Sequence, residues 1–137
     1  MSAGYSATPL SRKLGIGEGG TYALVDPPDG AAALLGPLPD GARRIARPGS
    51  ADVVIAFATA RETLAGHVEE IAPAIFPDRM LWVAWPKRAS KVPTDITEDV
   101  VREVALPLGL VDVKVAAIDE TWSGLKLVWR REHRPGY

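Results

Sequence analysis

Met-Leu-Trp-Val-Ala-Trp-Pro-Lys-Arg-Ala-Ser-Lys-Val-Pro-Thr-Asp-Ile-Thr-Glu-Asp, residues 80–99, is the stretch on which the reading of the fold turns. It opens on an apolar run, Met80 to Trp85, which stops at Pro86. Six apolar residues without polar alternation describe a strand buried on both faces, as in a parallel sheet covered by helices. Lys87, Arg88 and Lys91 follow as a basic loop, and Thr94 to Asp99 reads as a polar helix start. A strand, a loop and a helix N-terminus in succession are how α/β proteins build anion sites.

The same grammar extends in both directions. Upstream, Val53 to Phe57 is another near-continuous apolar run. Thr59 and Glu62 have the spacing of a capping box, in which each side chain caps the other's free amide. The helix after them puts Leu64, Val68, Ile71, Ala72 and Ile75 on one face, with Pro73 ending or kinking it. Tyr22 to Val25 is a first strand, Ala31 to Leu35 a short helix, and Ala42 to Ala46 a weak edge strand. Thr8-Pro9-Leu10 to Leu14-Gly15 reads as one or two helical turns with Thr8 as N-cap. Downstream, Ile96, Val100, Val101, Val104 and Leu108 make one stripe, with Asp95 and Glu98 as a second capping box and Gly109 as the stop. Val111 to Ile118 and Leu125 to Trp129 are strands with no helix between them, so they should pair antiparallel. The Ser123-Gly124 turn separates them, and Gly124 is expected to take a special conformation.

Strands alternating with helices over short connections predict parallel βαβ units. The expected fold class is α/β: a three-layer open sheet, mostly parallel, ending in an antiparallel hairpin. A single domain spanning 1–137 is expected, with flexible tails at 1–4 and 131–137. Hydrophobic residues at 47% and charged residues at 24% are ordinary for a globular domain. A net charge of −1 gives no global field for nucleic acid, so nucleic acid is not an expected partner. With no cysteine, disulfides, thiolate zinc sites and cysteine nucleophiles are excluded. No apolar stretch reaches the length of a membrane span. The expectation is a cytoplasmic protein without membrane contact. His67 and His133 are far apart in sequence, His67 beside Val68 and His133 in the polar tail, which argues against a Ser-His-Asp triad and a transition-metal centre.

An open parallel sheet closed by an antiparallel hairpin resembles the methyltransferase-like Rossmann variant. That resemblance implies glycines after the first strand and an acid at the end of the second. Here the first turn is Asp26-Pro27-Pro28-Asp29-Gly30, and the second region is Ile45-Ala46-Arg47-Pro48-Gly49. Neither feature is present, and the chain is short by about one βα unit of the full fold, so no cofactor is expected. A second resemblance rests on blocks spread along the chain. Tyr5-Ser6-Ala7-Thr8-Pro9, Lys13 to Ile16, Leu81 to Lys87, Thr94 to Asp99 and Asp119 to Leu125 look like the signature blocks of a bacterial family of small proteins. That family is classed as domain of unknown function 3052. The resemblance implies a small bacterial protein and transfers no catalytic residue.

Two candidate regions remain. In the first, Lys87, Arg88 and Lys91 with Thr94, Asp95 and Thr97 could hold a phosphate or carboxylate. The plainer reading is a solvated loop whose charges Asp95, Glu98 and Asp99 partly neutralise. In the second, Asp119 and Glu120 could serve acid/base chemistry or magnesium, or pair with Lys87 or Arg88. The plainer reading is a hairpin connection in which Asp119 bonds turn amides and Trp122 covers the sheet end. Trp85 and Trp122 could wall a pocket, or be core fillers, as Trp82 is expected to be. Tyr5 to Pro9 could fold over this edge as a lid.

The leading expectation is a non-catalytic domain that binds a protein partner or a small anionic ligand at the edge formed by 85–97 and 119–124. An enzyme using the same residues comes second, and a degenerate methyltransferase-like protein third. Homodimer formation stays open.

Overall fold

The structure, a computed structural model, describes residues 8–136. The tail at 1–4, and the expected lid of Tyr5 to Pro9 as far as Ala7, lie outside those residues. Ten elements follow in order: α1 (Leu10–Lys13), β1 (Thr21–Val25), α2 (Ala31–Leu34), β2 (Arg43–Arg44), β3 (Val53–Phe57), α3 (Arg61–Ile71), β4 (Met80–Pro86), α4 (Glu98–Ala105), β5 (Leu110–Ala117) and β6 (Trp122–Trp129). They form one six-stranded sheet in the order β2-β1-β3-β4-β6-β5. The first four strands are parallel. β6 runs antiparallel to both β4 and β5, and it lies between them. The expected α/β class, parallel body and antiparallel end are all present.

The two apolar strands sit at the centre because burial on both faces requires it. Every residue of β3 is buried, as is β4 beyond Met80. On one face Val54, Ala56, Leu81, Val83 and Trp85 meet Leu64, Val68 and Ile71 of α3 and Val101 and Ala105 of α4. On the other, Val53, Ile55, Phe57 and Trp82 meet Leu14, Ile16, Ala31 and Leu35. That second layer is thin, because α1 and α2 are single turns. Trp82 reinforces it: its indole Nε1 donates to Leu14 O at 2.8 Å, which ties the N-terminal arm to the central strand.

Several local expectations change. The N-cap of α1 is Pro9 rather than Thr8. Leu108 is 37% exposed, because α4 ends at Ala105 and Pro107 turns the chain into a 3-10 segment before the apolar stripe is complete. Gly109 still makes the stop, at φ 100°. The hairpin connection is shorter than expected, since Ser123 and Gly124 belong to β6. Gly124 is needed for space rather than for backbone freedom: a Cβ there would stand 3.1 Å from Ile118 Cδ1 and 3.3 Å from Trp82 Cε3. Residues 131–133 form a 3-10 turn, and Arg134 donates to Trp129 O. Among the described residues, no helix is long and apolar enough to cross a membrane.

Candidate functional site

The carboxyl ends of β1, β3 and β4 all open onto one edge, where open α/β sheets bind ligands. The basic loop leaves β4 there and is held in shape by its own polar groups. Ser90 Oγ donates to Lys87 O at 2.7 Å, and Val92 N donates to Ser90 Oγ at 3.2 Å. Lys87 N donates to Thr121 O at 2.7 Å, which fastens the loop to the β5–β6 connection. Thr94 Oγ1 donates to Thr59 O at 2.6 Å, and Asp95 Oδ1 accepts from Arg61 N at 2.7 Å. The second half of the loop is thereby strapped across the start of α3.

This strap corrects both expected capping boxes. The N-cap of α3 is Ala60, which has no capping side chain, and the free amide of Arg61 is capped by Asp95 from the distant loop. The N-cap of α4 is Thr97, whose Oγ1 accepts from Val100 N at 3.2 Å. Asp95 cannot serve both helices, and its long-range use was invisible to local spacing.

A groove of about 480 Å³ lies above Trp85. Pro86, Val92, Pro93 and Ile96 give it apolar walls, and Lys87, Arg88, Lys91, Thr94, Thr97, Glu98 and Ser123 complete the lining. Of the candidate residues, Trp85, Lys87, Arg88, Lys91, Thr94 and Thr97 therefore meet in one place. Asp95, Asp119, Glu120 and Trp122 are not on the lining. Asp119 Oδ1 accepts from Thr121 N at 2.8 Å and Trp122 N at 2.7 Å, the work of a turn residue. Trp122 lies edge-on to Phe57, with ring centroids 5.2 Å apart, on the opposite face of the sheet from Trp85. The two indoles therefore do not wall a common pocket.

The acids expected to neutralise the loop are engaged elsewhere. Asp95 caps α3. Arg102, on α4, binds Glu98 at 2.8 Å, Asp99 at 3.0 Å and Asp112 at 3.1 Å. Hydrogen bonds to Asp112, Glu98 and Asp99, in that order, hold the Arg102 guanidinium above its ordinary value. Among the described residues, no carboxylate lies within ion-pair distance of Lys87, Arg88 or Lys91. The pairing of Asp119 or Glu120 with Lys87 or Arg88 does not form. Lys91 also stands at φ 62°, one of two non-glycine residues with positive φ among those described.

The other is Asp26, at φ 51°, directly after β1. Its carboxylate lies 2.9 Å from His67 Nε2, out of line for a hydrogen bond. β1 and β3 flank the point where strand order reverses, so this pair marks the place where a Rossmann fold holds its nucleotide. Pro27 and Pro28 are rigid there, and Arg47 follows β2 where an acid would hold a ribose. The only sequence sign of the pair was Asp26 opening a proline-rich turn. Among the described residues there is no group of three or more metal-ligating side chains.

No protein-family model matches the chain, so the resemblance to the uncharacterised bacterial family is unsupported. No curated protein matches it either. Solved structures do. A SAM-dependent methyltransferase from Aquifex aeolicus is 14% identical, with a TM-score of 0.57 over 85% of this chain and 85% of that one. The Methanococcus jannaschii fibrillarin pre-rRNA processing protein is 11% identical, with a TM-score of 0.57 over 90% of this chain and 70% of its own. A protein of the NADB-Rossmann superfamily from Streptococcus agalactiae is 9% identical, with a TM-score of 0.55 over 91% and 69%. At such identities the likeness is one of fold alone, and the fold is that of the methyltransferase-like Rossmann proteins.

Proposed function

We propose that the chain is a non-catalytic, methyltransferase-like Rossmann domain that binds a small anionic ligand in the groove above Trp85. One observation carries this reading: Lys87, Arg88 and Lys91 line a single groove while Asp95, Glu98 and Asp99, the acids around the loop, are bonded elsewhere. Unpaired cations on a partly apolar wall form stronger charge-assisted bonds than the same cations in open water. Asp119 is tied up in its turn and Glu120 lies off the lining, which leaves no free carboxylate on the lining among the described residues. Glu98, the lining's carboxylate, is bonded to Arg102.

Calorimetric titration with inorganic phosphate, and with a phosphate monoester, tests the reading. Binding should weaken at least tenfold in the Lys87→Ala/Lys91→Ala double variant, as expected when charged hydrogen bonds worth about 1.5–3 kcal/mol each are lost. Unchanged phosphate binding in that variant would place the site elsewhere.

A further inference from the structure

We propose that the groove's ligand is amphipathic: a single-chain anion whose head sits among Lys87, Arg88 and Lys91, and whose apolar tail crosses Ser123 and Ala117 toward Val115. This rests on the anion-binding reading above. Trp85 is opposite Ser123, which is opposite Ala117. Partners across a sheet project from the same face, so these three side chains form one row. The next row in is Val83, Leu125 and Val115. Both rows belong to the face covered by α3 and α4, yet only their inner members are covered. Val83 and Leu125 are fully buried and Trp85 is 6% exposed, whereas Val115 is 48% exposed. Ala117 is exposed as well.

The outer members of these rows, Ser123, Ala117 and Val115, make one open strip, or trough, that meets the groove at Ser123. A bare inorganic ion would satisfy the cations but leave the exposed Val92, Pro93 and this strip wet. An uncharged hydrocarbon would cover the strip but leave three cations without partners. A molecule with one anionic head and one chain meets both demands. A free molecule fits better than a membrane surface, because the three cations line a concave groove of about 480 Å³ rather than a protruding face.

Decyl phosphate below its micelle concentration, inorganic phosphate and decanol are titrated against the whole chain. Decyl phosphate should bind at least ~10-fold tighter than phosphate, as burial of several methylenes requires, and decanol should bind far more weakly. Val115→Glu and Ala117→Glu should bring decyl phosphate down to the affinity of phosphate while leaving phosphate itself unchanged. Leu106→Glu, an exposed apolar site away from the trough, should change neither. Lys91→Ala should weaken both anions. Circular dichroism confirms that each variant is folded.

Equal affinity for decyl phosphate and phosphate overturns the tail while the anion site stands. A tail effect insensitive to Val115→Glu and Ala117→Glu, decanol binding as tight as decyl phosphate, or binding only to anionic vesicles also overturns it. Failure of both anions to bind removes the anion reading itself.

Discussion

Lys91 has a left-handed backbone that a lysine adopts at a cost of roughly 1–2 kcal/mol. Glycine would be the cheaper residue at the end of the 3-10 turn, yet a cation stands there, on the groove. Strain of this kind is kept where the side chain is needed. Lys91→Gly should therefore separate stability from function. Its unfolding free energy in urea should hold or rise by up to about 1 kcal/mol, the relief of strain being offset by the flexibility of the unfolded glycine, while phosphate binding falls. Asp95 makes the opposite case. It looked like a local cap for α4 and instead caps α3 across the loop. Asp95→Ala should cost about 1 kcal/mol in urea denaturation, the ordinary loss of a cap, whereas Glu62→Ala should stay within about 0.5 kcal/mol. Equal losses would restore the local capping box. The three cations were legible in sequence as a cluster. That they are unpaired was not, because pairing depends on where Asp95, Glu98 and Asp99 point.

At the level of elements, α4 keeps its acids away from the groove. Arg102 draws in Glu98 and Asp99 from one helical turn earlier and Asp112 from β5. Arg102→Met should release Glu98 toward Lys87 and Lys91 and lower phosphate affinity several-fold, read by calorimetry, although residue 102 is itself off the lining. An undiminished affinity would show that Glu98 does not compete with the ligand. β5 forms the outer edge of the sheet, where free amides and carbonyls invite pairing with another chain. A register irregularity between Asp112 and Lys114 interrupts that edge, and Lys114 puts a charge on it. Lys114→Val should increase self-association at high concentration, measured by light scattering. The helices and strands were readable because their apolar periodicity is local. The bulge was not, because it arises from how β5 meets β6.

Across the whole molecule, the fold is shared with methyltransferase-like structures, while the glycines and the acid that this resemblance implies are missing from its first two turns. Pro27 and Pro28 stiffen the turn after β1, Asp26 stands beside His67 at its mouth, and Arg47 follows β2. S-adenosylmethionine at millimolar concentration should therefore leave the melting temperature unchanged. A ligand at 100-fold over its Kd would add about 2.7 kcal/mol and be plainly visible. The sequence by itself determined the strands, the helices, the parallel body and the antiparallel end, because each follows from hydrophobic period and connection length. Only the tertiary structure decided the insertion of β6 between β4 and β5, the caps exchanged between segments, and the separation of Trp85 from Trp122 onto opposite faces. It also decided which charges near residues 80–99 cancel. Ion pairs and caps join residues far apart in the chain, and no spacing along the sequence encodes which acid each cation meets.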